Sequence, residues 1–353
     1  MSKLDDAVAL KAAVRARFFS RTRPRGIARL GFSRSVAAAG ALAGEHVHAV
    51  GVGRKVVRGR VSKDLAIRLY VIQKLPRKLI RSADFIPGDY DGIPTDVIET
   101  PAAFLQPAKK RRVPRATSSA CTDRRQEKQR PIVAGTSAAH RNVTAGTIAC
   151  FCTSTHPDDP PDRTYVLSNN HVFADVNQGQ AGDELYQPGR ADGGTAEDRF
   201  ALLARFGTIR LDGVDNRVDA AIGAMLPNVK FRPEICSIGA LAGHERAAEG
   251  MRVRKHGRTT GYTEGVVTDI YYDVIVGMDH ADPSVTATFA NQVRIERTAP
   301  YPAIGLGGDS GSLVVHGDKA KAVGLYFAGP DGGAYGIANP IEDVLRDLQI
   351  ALV

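Results

Sequence analysis

Apolar and polar positions along the chain change texture near residue 131. In LDDAVALKAAVRARFF, residues 4–19, apolar side chains recur at helical spacing and Asp5 and Asp6 fall in the first turn, which predicts a short amphipathic helix. The stretches AVGVGRKVVRGRV (49–61), LAIRLYVIQKL (65–75) and DGIPTDVIET (91–100) alternate β-branched with polar residues between Gly, Pro and Asp, and read as strands. LPRKLIRSAD (75–84) reads as one short helix between them. Residues 101–130 have almost no periodicity, three prolines and the run KKRR at 109–112, the pattern of a solvated tether. From 131 onward, at least eight short apolar runs alternate with Gly, Pro and Asp turns and have no helices between them, which predicts antiparallel barrel or sandwich architecture. A helix returns only in PIEDVLRDLQIALV, where Pro340, Glu342 and Asp343 mark its start.

These textures predict a mainly β chain in four parts: a helix with a basic arm (1–45), a small α+β module (46–100), a basic linker (101–131) and a β-rich body (132–353). A module of about 55 residues is marginal alone and is expected to lean on its neighbour.

Composition agrees with short strands rather than a helical bundle: 36 glycines, 19 prolines and no Trp in 353 residues. The net charge of +9 hides an asymmetry, because the first 130 residues carry 28 basic and 11 acidic side chains and the rest carry 19 and 27. The front is therefore +17 and the back −8. Such a division fits docking of the basic part on the acidic barrel, or, less favoured, a nucleic-acid partner.

The four cysteines, Cys121, Cys150, Cys152 and Cys236, are few and unevenly spaced, which predicts no disulfide framework and a reducing, cytoplasmic setting. No zinc-like ligand spacing follows Cys150 and Cys152, so neither a metal nor another cofactor is expected. No run of 18 apolar residues predicts a membrane span. Residues 11–44 superficially resemble a transit or export signal, but Asp5, Asp6 and the weak apolar tract at 36–44 argue against export.

The candidate chemistry centres on GLGGDSGSLVV, residues 305–315. Its glycines let backbone amides converge on one point, and Ser310 stands where a nucleophile would be served by the amides of Gly308 and Ser310. A bland glycine turn accounts for the glycines but not for Asp309-Ser310 among them. A serine needs an oriented base. His171, in RTYVLSNNHVFAD, sits where a strand ends beside Asn169 and Asn170; it is a candidate base or an ordinary structural histidine. Asp219, in DNRVDAAIGAML, abuts an apolar run and needs a hydrogen-bond partner, either an imidazole N–H or a backbone cap.

The order His171, Asp219, Ser310 resembles that of the chymotrypsin- or trypsin-like serine peptidases. KHGRTTGYTEGVV (255–267) is similar to the Gly-x-Thr-Thr-Gly turn of their bacterial streptogrisin branch, and AVGLYFAG with GAYGIANPIEDVL is similar to the cleft wall and closing helix. The front module resembles the amino-terminal part of bacterial trypsin-like proteins related to the plant narrow-leaf protein. The resemblance implies two antiparallel six-stranded-type β-barrels over 132–353, a protein or peptide substrate, Ser310 as nucleophile, His171 as proton shuttle, Asp219 as its orienter and Gly308 with Ser310 as oxyanion hole. It also implies a substrate-binding wall at Ile304, Phe327 and Gly329. Ile304 stands where trypsin has the Asp that selects basic residues, so an apolar or small side chain is expected there. The bridges of secreted members are missing, since Val172 and Leu306 occupy their places. RPIVAGTS resembles the activated amino terminus of trypsin, but Arg130 precedes Pro131, so Asp309 is expected to find another partner, Arg141 or His140. The alternative reading is a catalytically silent trypsin-like fold that binds other molecules, nucleic acid among them.

Overall fold

The computed structural model describes residues 3–19, 47–57, 60–80, 82–106, 108, 121–279, 282 and 284–353. The basic run 109–112 and the arm 20–46 lie outside the described residues.

The molecule is mainly β. Six strands, Arg252–Gly257, Gly261–Gly277, Thr286–Arg297, Leu313–His316, Ala322–Ala328 and Tyr335–Pro340, close on one another into an antiparallel barrel. Closure removes free edges there. The other body is an eight-stranded antiparallel sheet containing Cys150–Ser154, Thr164–Ser168, Arg199–Phe206 and Ala221–Met225. Apolar side chains of its strands, among them Phe151, Leu167, Phe200 and Ile222, form a core shared with Leu313 and Leu325 of the barrel and with Ile341, Val344 and Leu348 of the last helix.

The last helix is shorter than its sequence suggests. It spans Ile341–Leu348, ends where Gln349 turns left-handed, and Ile350–Leu352 then pairs with Cys150–Ser154. Segment 75–84 departs from expectation too. It forms two 3-10 turns, Arg77–Leu79 and Ser82–Asp84, because Arg77, Lys78 and Leu79 are all exposed and offer no apolar face to pack.

The front strands continue the barrel's sheet. Gly261–Gly277 is 17 residues long, and beyond the barrel it pairs with Val47–Val57 in the register Ala49↔Val274 and Val50↔Asp273. Arg60–Val71 and Ile93–Glu99 extend the same sheet outward. The first helix, Lys3–Phe19, lays Ala7, Val14 and Phe18 on Val50, Val52, Ile67 and Leu69. Lys11 of that helix reaches Asp273 at 2.6 Å and the Tyr271 carbonyl at 2.9 Å. Burial lowers its pKa, and Asp273 opposes that shift.

Cys121 and Cys236 form a disulfide, with Cα atoms 5.8 Å apart and a sequence separation of 115. This corrects the expectation drawn from cysteine spacing. Residues 121–130 fold back over the body, where the Ser137 amide donates to Arg125 O, so two cysteines distant in sequence become neighbours. Cys150 and Cys152 are free and buried.

Candidate active site

His171 does not end a strand. Thr164–Ser168 stops three residues earlier, and Asn170–Phe173 makes a single helical turn that carries the imidazole over the cleft. Its Nδ1 lies 2.5 Å from Asp219 Oδ2, and its own amide N–H donates to Asp219 Oδ1 at 3.1 Å. Asp219 is wholly buried just before the strand Ala221–Met225. Its backbone is fixed from both sides: Asn169 Nδ2 donates to its carbonyl at 2.7 Å, and its N–H donates to Asn339 Oδ1 at 3.0 Å. Asn339 belongs to the barrel and donates in turn to Gln292 Oε1 at 2.7 Å. A carboxylate so held is oriented before it meets the imidazole.

Ser310 comes from the barrel, on the turn leading into Leu313–His316. It shares with His171 a cleft of about 290 Å³, whose walls also include Thr144, Val176 and Leu105. The Ser310 hydroxyl donates to the Phe327 carbonyl at 3.2 Å. His171 Nε2 is buried and has no hydrogen-bond partner among the described residues. The structure thus joins His171 to Asp219 and brings Ser310 to the same cleft, without a hydrogen bond between hydroxyl and imidazole. Serine–histidine hydrogen bonds are commonly loose without substrate and tighten on the reaction path.

The glycine turn packs against the other body. Gly308 (φ 96°) and Gly311 (φ 92°) adopt left-handed backbone that only glycine takes without strain. Thr147 N donates to Ser310 O at 2.8 Å and Thr147 Oγ1 to Gly308 O at 2.8 Å. Among the described residues, the amides of Gly308 and Ser310 donate to no acceptor. Behind the turn, Arg258 Nε donates to Asp192 Oδ2 at 2.7 Å, and both side chains are buried. Sequence reasoning missed this pair: Arg258 lies within the KHGRTTG motif, but Asp192, on a distant turn, carried no sequence signal.

Asp309 corrects the expectation about its partner. It accepts from the amides of Thr259 at 2.8 Å, Thr260 at 3.1 Å and Leu306 at 2.9 Å, and from Thr260 Oγ1 at 2.9 Å. Lys255 Nζ stands 3.6 Å away. Burial lowers the Lys255 pKa against the pull of Asp309. Arg141 and His140 pair with Asp183 instead. Ile132, the residue resembling a freed amino terminus, opens the strand Ile132–Ala134 within the chain and donates its N–H to Lys230 O.

The predicted wall residues separate. Phe327 supplies the carbonyl that Ser310 meets, and Gly329 presents its N–H and C=O to Phe104 at 3.3 and 3.1 Å. Ile304 is buried in the barrel core with Val253, Ile295 and Tyr326 and is not among the residues that line the cleft of His171 and Ser310. The Tyr326 ring packs among Gly305, Gly329 and Gly336, where added Cβ atoms would collide with it. Its hydroxyl has no partner among the described residues. Burial raises its pKa.

No protein-family model and no curated protein matches the chain. Among solved structures, the chain is similar to Thermobifida fusca Protease A at 18% identity, covering 63% of this chain and 98% of that one with a TM-score of 0.44. Nocardiopsis Protease gives 16% identity, 63% and 98% coverage and 0.44, and an alpha-lytic protease homologue gives 18%, 63%, 99% and 0.43. The structures it is similar to are chymotrypsin-like serine proteases of bacterial type.

Proposed function

We propose that the protein is a serine endopeptidase. The observation that carries this reading is the His171–Asp219 pair, whose remaining ring nitrogen has no partner among the described residues and belongs to a cleft that Ser310 also lines. The mechanism follows from those positions. Rotation of the Ser310 hydroxyl away from Phe327 O delivers its proton to His171 Nε2 as Oγ attacks the substrate carbonyl carbon. The carbonyl oxygen becomes an anion served by the amides of Gly308 and Ser310, each donor worth roughly 10²–10³ in rate. Asp219 holds the imidazole in the tautomer that accepts this proton and steadies the imidazolium. His171 then returns the proton to the leaving amine, the C–N bond breaks and an ester on Ser310 remains. Water attacks that ester by the same path and regenerates the hydroxyl.

A fluorophosphonate probe tests the reading. It is expected to form a covalent adduct on Ser310 of the wild type and none on Ser310→Ala or His171→Ala. An unlabelled, folded wild type would refute the assignment.

A second reading is a silent fold that binds rather than cleaves, favoured by the hydrogen bond from Ser310 to Phe327 O and by the +17 front. It expects binding to duplex DNA or RNA that falls steeply with salt and disappears when Lys109, Lys110, Arg111 and Arg112 are neutralised.

A further inference from the structure

Within residues 103–106, which the sequence presents as part of a linker, Ala103–Phe104 forms a short strand and Leu105–Gln106 continue into the cleft. Ala103–Phe104 runs parallel to the end of Gly261–Gly277, in the register Val276↔Ala103 and Gly277↔Phe104, and Leu105 N donates to Gly277 O at 2.9 Å. On the other side Phe104 N donates to Gly329 O at 3.1 Å and Gly329 N donates back to Phe104 O at 3.3 Å. Gln106 Nε2 donates to the carbonyls of Gly329, at 3.0 Å, and Pro330. A Cβ on Gly277 would collide with the Phe104 ring, so the ring lies where only glycine gives it room. Ala103 and Leu105 are buried in one core with Phe327, Ala328 and Tyr335. Leu105 and Gln106 line the cleft with His171 and Ser310, and Ala108 packs against Gly308.

The four residues therefore thread between two sheet edges and run past both halves of the candidate catalytic pair. Main-chain pairing with a sheet edge, with alternate side chains in pockets, is a general way to bind an extended peptide. Here both polar groups of Gly329 are already taken by Phe104. An incoming peptide can use that edge only after Phe104 leaves it.

We propose that Ala103–Gln106 is a resident occupant of the peptide groove, a tethered pseudo-substrate, and that the groove's ligand class is an extended uncharged peptide of the order small, aromatic, aliphatic, glutamine. The proposal rests on the peptidase reading for its consequence, which is restraint of activity, but not for the binding itself. Because the four residues carry no charge, this occupancy is insensitive to salt, unlike docking of the basic front on the acidic body. A tether of this kind holds its segment at roughly millimolar effective concentration. External peptide then binds with an affinity reduced by the fraction of time that the groove is open.

The test uses the full chain with residues 103–106 replaced by Gly-Ser-Gly-Ser, beside the native sequence, both carrying Ser310→Ala. Fluorescein-labelled Ala-Phe-Leu-Gln amide is titrated against each and followed by anisotropy at low and high salt. The replaced chain is expected to bind at least about tenfold tighter than the native one at both salt concentrations. Equal affinity, or no binding to either, overturns the proposal. In the same pair with Ser310 restored, kcat/KM for peptide rises by a similar factor. Fluorophosphonate labelling separates the two claims: tighter peptide binding with no labelling of either chain keeps the groove and removes the enzyme, whereas labelling with equal binding does the reverse. If circular dichroism shows the replaced chain unfolded, Gln106→Ala serves instead. It removes only the two carboxamide bonds and is expected to tighten peptide binding about threefold, the worth of one net hydrogen bond; unchanged affinity overturns the proposal.

Discussion

Asp219 holds His171 twice, taking the ring Nδ1 at 2.5 Å on one carboxylate oxygen and the backbone N–H at 3.1 Å on the other. The double grip fixes both the position and the tautomer of the imidazole. Asparagine at 219 can still meet the backbone N–H but presents an amide group to Nδ1 and favours the wrong tautomer. On the peptidase reading, Asp219→Asn lowers kcat by about 10⁴. Loss of the charge-assisted bond costs about 1–3 kcal/mol of stability, so the variant still folds. Peptide turnover within tenfold of wild type would remove Asp219 from the mechanism.

Gly311 is constrained more tightly than the other glycines of the turn. Its φ is 92°, and a Cβ there would strike Thr147 O and Ser168 Oγ. Backbone cannot move aside as a flexible side chain does. Gly311→Ala is expected to destabilise by about 3 kcal/mol or more, whereas Gly332→Ala, with nothing near its Cβ, stays within about 0.5 kcal/mol. Urea midpoints of the two variants decide this; similar midpoints would mean that the turn yields.

What could be read from the chain alone follows from where information is local. Ser310 stood out because glycines at 305, 307, 308 and 311 flank an Asp-Ser pair, a pattern needing no distant partner. The β texture after residue 131 was legible for the same reason, since alternation and turn residues are properties of short windows. His171 and Asp219 gained meaning only through their order with Ser310. Pairing of Ala49 with Val274 was beyond reach because periodicity names a strand's faces and not its neighbour. Ala103–Gln106 looked like linker because four uncharged residues are too few to show a period, and their order comes from two edges supplied by residues 277 and 329. Asn339, which positions Asp219, gave no signal at all.

The Cys121–Cys236 bridge closes a loop across a sequence separation of 115. Loop-closure entropy assigns such a link about 5 kcal/mol. Reduction, or Cys236→Ser, should lower the melting temperature by several degrees. Cys150 and Cys152 should not react in the folded protein, since burial pushes the Cys150 thiol up to about 12 and Cys152 in the same direction. Mass spectrometry after iodoacetamide should therefore find no adduct in the oxidised native protein and two after mild reduction. Two adducts before reduction would contradict the bridge.

Asp269 connects the front strands to the barrel. It is wholly buried, accepts from Tyr271 N at 2.9 Å and lies 3.2 Å from the Tyr70 hydroxyl. Burial pushes its pKa up to about 6 from an ordinary 3.8, with Arg68 opposing the shift. A carboxyl whose pKa is raised by folding favours the fold while protonated. Its contribution is full below about pH 4 and is lost as pH rises through about 6, a difference of about 3 kcal/mol. Asp269→Asn removes the titration and keeps an acceptor for Tyr271. Relative to wild type it should gain about 3 kcal/mol between pH 4 and pH 7. Unfolding curves that shift in parallel at the two pH values would assign the titration elsewhere.

Tyr326 precedes Phe327, whose carbonyl meets Ser310, and its ring packs among Gly305, Gly329 and Gly336. The ring is 2% exposed, its hydroxyl has no partner among the described residues, and it fills the room that the three missing Cβ atoms leave. On the peptidase reading, a substrate side chain pointing from the attacked carbonyl toward Phe327 and Gly329 meets this ring rather than an open slot. Wild type is then expected to cleave after Gly or Ala and to reject aromatic residues there. Tyr326→Ala opens a cavity at a cost of about 3–5 kcal/mol and should raise kcat/KM for an aromatic residue at that position at least about tenfold. Tyr326→Phe, which deletes only the unpartnered hydroxyl, should leave the preference unchanged and stability equal or higher. A peptide library profiled against all three proteins reads both outcomes, and an aromatic preference already present in wild type would show that the side chain enters by another route.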